Sequence, residues 1–152
     1  MIGPLQSNKC REVALHFDWL QSLDREKLVE PLNRFRPADA APLNVLIQVN
    51  IDGEASKSGC APEAIPALAA KFRQAPRLRL RGLMAIPAPA DVDARIRAFT
   101  RMRGLFESLR TSQSGIDTLS MGMSDDFESA IAHGATLVRI GTALFGARAP
   151  VS

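Results

Sequence analysis

The chain has 152 residues, of which 46% are hydrophobic and 23% charged, with a net charge of +3 and a pI of about 9.3. That length suits one domain, residues 1–152, with a substantial core, and the hydrophobic content excludes a disordered chain. The mildly basic balance suits a small anionic ligand, and it falls short of the dense basic patch of a nucleic-acid binder. The longest apolar runs are too short to span a bilayer, and Met1-Ile2-Gly3-Pro4 lacks the basic-then-apolar pattern of a signal peptide, so a soluble, cytoplasmic protein is expected. Cys10 and Cys60 belong to no C-x-x-C pair, and His16 and His133 stand alone, which predicts two reduced structural thiols and no metal site.

In chain order, strands and helices alternate. Gln6 to His16 reads as a helix and Trp19 to Leu23 as a short strand, with Asp24 placed to cap a helix from Arg25 to Phe35. Asn44 to Ile51 is the clearest strand; its run of Val45, Leu46, Ile47 and Val49 predicts burial on both faces. A polar loop, 52–59, leads to a helix from Pro62 to Gln74, in which Pro66 is poorly placed. Leu78 to Ile86 is the next strand, closed by Pro87 and Pro89. Arg77, Arg79 and Arg81 alternate with leucines and are expected on one face, solvated or against an anionic partner.

Asp91 to Arg110 reads as a long helix, Asp117 to Gly122 as a strand, and Asp125 to Ala132 as a helix opened by an Asp125–Glu128 capping box and closed by Gly134. Leu137 to Ile140 is the last strand, followed by a helical turn at Thr142 to Phe145. Five strands alternating with helices, plus a strand remnant at Met1-Ile2, predict a parallel α/β architecture. A complete (β/α)8 barrel typically takes ~250 residues. At this length the chain is an open sheet or an incomplete barrel.

Two segments near the end carry the chemistry: Ser120-Met121-Gly122-Met123-Ser124-Asp125-Asp126 and Val138-Arg139-Ile140-Gly141-Thr142-Ala143-Leu144-Phe145-Gly146. Each runs from an apolar strand into small or hydroxylated residues, as a barrel builds a phosphate site from backbone N–H groups and hydroxyls at strand ends. Ser124 either caps a helix or donates to a phosphate. Gly141 either makes a tight turn or lets ligand oxygens approach the backbone beside Thr142. Arg139, in an apolar strand, either points into a polar barrel mouth or faces out at the strand end. The sequence has neither G-x-x-x-x-G-K-[ST] nor the G-x-G-x-x-G dinucleotide fingerprint.

These segments, with Ile2-Gly3-Pro4-Leu5-Gln6-Ser7-Asn8-Lys9, Asn44-Val45-Leu46-Ile47-Gln48-Val49-Asn50-Ile51, Ser56-Lys57-Ser58-Gly59 and Arg81-Gly82-Leu83-Met84-Ala85-Ile86-Pro87, resemble the pyridoxal-phosphate homeostasis protein family, single-domain relatives of the alanine racemase barrel. The ordered match runs from the second residue to about Arg148. It implies a partial (β/α)8 TIM barrel of the fold-type-III class that binds pyridoxal 5'-phosphate. Ser124, Gly141 and Thr142 match the family's phosphate-binding positions, and Arg139 matches the arginine facing the pyridine nitrogen. Met84 and Met121 match positions near the ring, with barrel packing as their alternative role. An arginine at the ring nitrogen keeps it unprotonated and weakens the ring as an electron sink.

The chain departs from the family at its start. Family members hold the cofactor as a Schiff base on a lysine of the first strand, and the sequence begins after the segment that would carry it. The expectation is therefore a chain lacking roughly the first two strands, with covalent attachment of the cofactor not expected. Of Lys9, Lys27, Lys57 and Lys71, only Lys57 sits on a loop at the mouth. The expected function is a non-catalytic carrier in intracellular pyridoxal-phosphate homeostasis, with apo-enzymes that need the cofactor as recipients. The alternatives are a racemase-like enzyme, disfavoured by the absence of tyrosine, and an inactive fragment. Two open sheet edges are expected to invite self-association.

Overall fold

In the computed structural model, which describes residues 1–54, 57–88 and 91–146, five parallel strands form one sheet in the order β1-β2-β3-β4-β5. They are β1 (Trp19–Leu23), β2 (Leu43–Gln48), β3 (Leu78–Met84), β4 (Thr118–Met123) and β5 (Leu137–Arg139). Sequential neighbours all pair in parallel, which requires a crossover between each pair. Helices supply those crossovers: α1 (Cys10–His16) precedes β1, and α2 (Val29–Phe35), α3 (Ile65–Ala70), α4 (Val92–Ser112) and α5 (Phe127–Ala132) follow β1 to β4. A final turn, α6 (Thr142–Phe145), follows β5. Pro66 lies in the first turn of α3, where its missing N–H costs nothing.

The two faces of the sheet are distinct. Val45, Ile47, Leu83, Leu119 and Met121 join Phe99, Met102 and Phe106 of α4 in one apolar core beneath the helices. Leu46 and Met84 are equally buried yet lie outside that cluster. They belong to the inner face, where Gln48, Met84 and Ser120 stand side by side across three strands. The Ser120 hydroxyl on β4 donates to Gln21 Oε1 on β1 at 2.7 Å. In a flat sheet these strands would lie about 14 Å apart, three strand spacings. A direct bond therefore requires the sheet to curl, and the architecture is a half-barrel.

Gly82 makes this curl possible. It sits in β3 at φ +151°, next to the register shift between Val45 and Leu46 of β2. A Cβ there would run into the Thr118 carbonyl of β4, so the close approach of β3 and β4 admits only glycine.

Several sequence expectations are revised. Asp24 does not cap a helix; its carboxylate takes a hydrogen bond from Arg25 Nη1 at 2.7 Å, and the segment opens with a 3-10 turn at Glu26–Leu28. The Asp125–Glu128 capping box does not form, because Asp126 occupies the cap position of α5 and its carboxylate turns back onto Met123. Arg77 precedes β3 and donates to the carbonyl of Arg36 beyond α2, so it does not share a face with Arg79 and Arg81. Arg81 is neither solvated nor free for a partner: it grips both carboxylate oxygens of Asp117, bonds Asn44 Oδ1 and stacks over Trp19 at 4.9 Å. The outer edge of β1 is not bare. Met1 donates to the Trp19 carbonyl and accepts from Gln21 N, a parallel ladder step, and Ser22 Oγ bonds the Gly3 carbonyl. Ser56 and Pro89, with residues 147–152, lie outside the described residues.

Candidate phosphate and ring site

The C-terminal ends of β4 and β5 bring the predicted residues together. After β4, residues 123–126 form a turn closed by Asp126 N to the Met123 carbonyl at 3.1 Å. Ser124 is the second residue of that turn. Its Oγ accepts hydrogen bonds from Gly141 N at 3.3 Å and Ala143 N at 3.1 Å, across the gap to the loop after β5. Two backbone donors thus converge on one hydroxyl oxygen, Ser124 Oγ, at the start of α6. Gly141 has no atom within 4 Å of where a Cβ would stand. This exposed cradle of a hydroxyl and backbone N–H groups is the candidate anion site. Thr142, at the first position of α6, is exposed beside it.

Arg139 ends β5 and turns inward. It donates through Nη1 to Ser120 Oγ at 2.7 Å and through Nη2 to the Ala85 carbonyl at 2.8 Å. Burial pulls its guanidinium down from the ordinary arginine range, while the Asp126 carboxylate favours the charged form. The chain Arg139–Ser120–Gln21 spans the inner face from β5 to β1. Sequence reasoning passed over Ser120 and Gln21. The available signal was a serine inside an otherwise apolar strand, where a fully buried hydroxyl needs a partner.

Met84 lies on this inner face, in register with Ser120. Met121 does not join it. It lies one residue past Ser120 and packs in the core under the helices, so the pleat separates it from the arginine. Lys57 lies on the loop after β2 with its Nζ 3.9 Å from Asp52 Oδ2 and 3.5 Å from Glu54 Oε2. Both carboxylates come from its own loop. Asp52 in turn accepts from Ala88 N, tying this loop to the one after β3.

The residues present are of the kinds that would fit pyridoxal 5'-phosphate: a hydroxyl and backbone N–H groups at the start of α6, a half-buried guanidinium from the end of β5, and Met84 on the inner face. Among the described residues, no group of three His, Cys, Asp or Glu side chains could hold a metal ion, and no helix is long and apolar enough to cross a membrane.

Comparison with known proteins identifies the family of the chain. The sequence profile of the alanine racemase N-terminal domain family matches residues 1–149. The pyridoxal phosphate homeostasis protein of Pseudomonas aeruginosa is 62% identical over 148 residues, covering 97% of this chain and 63% of that protein. The protein of the same name from Haemophilus influenzae is 59% identical over 150 residues, with the same coverage. The solved structure of PipY from Synechococcus elongatus, with PLP bound, matches with a TM-score of 0.85 at 34% identity, covering 96% of this chain and 69% of that one. The chain thus spans a little under two thirds of the length of the curated relatives it matches. It belongs to the alanine racemase N-terminal domain family, in the branch of the pyridoxal phosphate homeostasis proteins.

Proposed function

We propose that this chain supplies the phosphate and ring-nitrogen side of a pyridoxal 5'-phosphate site, in a protein that carries the cofactor without turning over a substrate. The convergence of Ser124 Oγ with the N–H groups of Gly141 and Ala143 supports this most directly. When bound, the cofactor supplies an aldehyde that reacts with amines and a ring that withdraws electrons. Ser124, Gly141 and Thr142 would hold the phosphate, through a hydroxyl that turns to donate and backbone N–H groups that exchange Ser124 Oγ for a phosphate oxygen. Arg139, fixed by Ser120 and the Ala85 carbonyl, would face the ring nitrogen and, as a permanent cation, leave it unprotonated. Met84 would pack beside the ring. The neutral Gln21–Ser120 pair offers no acid or base near neutral pH, which favours carriage over proton transfer.

On this reading the protein works in the cytoplasm and passes the cofactor to apo-enzymes that require it. Two buried thiols, Cys10 and Cys60, suit a reducing compartment. The outer edge of β5 and the exposed α6 beside it favour association between copies of the chain.

Titration of pyridoxal phosphate into the chain, followed by cofactor absorbance, tests the reading. Saturable binding competed by inorganic phosphate is expected. Ser124→Ala should weaken it about tenfold, in the range of one charge-assisted hydrogen bond. Binding that phosphate does not compete, or that Ser124→Ala leaves unchanged, would overturn the assignment of the cradle.

A further inference from the structure

We infer that Asp126 is the positioning residue of the cradle, fixing the turn that presents Ser124 and bracing it against α4. This rests on reading the cradle as a phosphate site.

Asp126 stands at the cap position of α5, where an aspartate ordinarily bonds the helix's own first N–H groups. It makes no such bond. Its Oδ1 instead accepts from Met123 N at 2.7 Å, three residues back. The turn around Ser124 is therefore closed twice, by Asp126 N to the Met123 carbonyl and by the side chain to Met123 N. The other carboxylate oxygen faces Arg95 Nε of α4 at 3.6 Å, and the Asp126 side chain is only 9% exposed. The carboxylate also acts on Arg139 through space, favouring its charged form.

The arrangement runs in one line: Arg95 on α4, Asp126, Met123 N, the Ser124 turn, then the N–H groups of Gly141 and Ala143. A carboxylate this close to an anion site would by charge alone repel the ligand. Its position between two arginines and its bond to the turn give it a different task, holding donors in place.

A charge role and a positioning role predict opposite results for two substitutions. Asp126→Asn keeps an acceptor for Met123 N and removes the charge. Asp126→Ala removes both. Amide hydrogen exchange of the unliganded chain reads the turn without any ligand. Met123, Gly141 and Ala143 should exchange at least tenfold faster in Asp126→Ala and within threefold of the parent in Asp126→Asn, with β2 and β3 unchanged in both. Titration with inorganic phosphate should show affinity at least tenfold weaker in Asp126→Ala and within threefold of the parent, or tighter, in Asp126→Asn.

Unchanged exchange at those three amides in Asp126→Ala overturns the proposal, as does equal tightening of phosphate by both substitutions. A parent chain that binds no phosphate, with the exchange rates ordered as stated, overturns the cofactor reading and leaves the positioning role standing. Should Asp126→Ala fail to protect β2 and β3, Arg95→Met is read in its place. It must speed the same three amides at least threefold, and no change there overturns the proposal.

Discussion

At the scale of single residues, environment decides role. Cys60 is buried beside the end of β2, where its N–H and carbonyl pair with Gln48 and Asn50. Burial pushes its thiol from the ordinary 9.0 up to about 11. Between those values the unfolded chain has shed the proton and the folded chain has kept it. The folded state therefore holds its full advantage below pH 9 and loses it as pH rises towards 11. Between pH 9 and pH 11 the unfolding free energy from urea titrations should fall further in the parent than in Cys60→Ala, by on the order of 2 kcal/mol. An equal fall in both would show that Cys60 does not contribute. Single residues were also where sequence reading was weakest. Ser124 and Gly141 stand out in the sequence because strand-end glycines and hydroxyls follow a pattern; Arg139 stands out as an arginine in an apolar strand, and its direction is given only by the fold. Asp126 and Ser120 do not, because their roles come from partners chosen in three dimensions. Asp24 and Asp125 looked like caps, but Arg25 claims the first and Asp126 takes the cap position from the second.

At the scale of elements, the strands are legible to within a few residues, since each is a short stretch with apolar residues in continuous or alternating order, set off by proline, glycine or charge. The continuous run Val45-Leu46-Ile47 announced burial on both faces but not which side chain took which face. That ambiguity is why Met121 could be placed near the ring: nothing in its neighbours separates it from Met84. The bulge at Gly82 was equally hidden, because glycine in a strand signals a close approach without naming what approaches. Gly82→Ala should cost roughly 3 kcal/mol or more, because a Cβ meets the backbone of β4 and the residue must hold a positive φ. Chemical denaturation measures this. A loss below about 1 kcal/mol would mean that β3 and β4 can part without consequence.

At the scale of the whole molecule, the described residues leave the outer edge of β5 without a paired strand. Among the described residues β5 pairs only with β4, and Leu144 and Phe145 of α6 are 70% and 87% exposed. An unpaired strand edge beside exposed apolar side chains favours pairing with another chain. Sedimentation velocity should show association rising with concentration, and a Leu144→Ser, Phe145→Ser double variant should shift the distribution towards monomer. A monomer at every concentration would show that this side is adequately protected.

The Arg81 stack has a consequence for spectroscopy. Trp19 is the chain's one tryptophan, and there is no tyrosine. Near-ultraviolet emission therefore comes chiefly from an indole lying under the Arg81 guanidinium, at the start of β1. The cradle is built at the far ends of β4 and β5. Emission is thus a remote gauge: it reports the Asp117–Arg81–Asn44 clamp at the floor of the half-barrel. A shift in that signal when an anion is added at the rim would have to travel through the inner-face side chains.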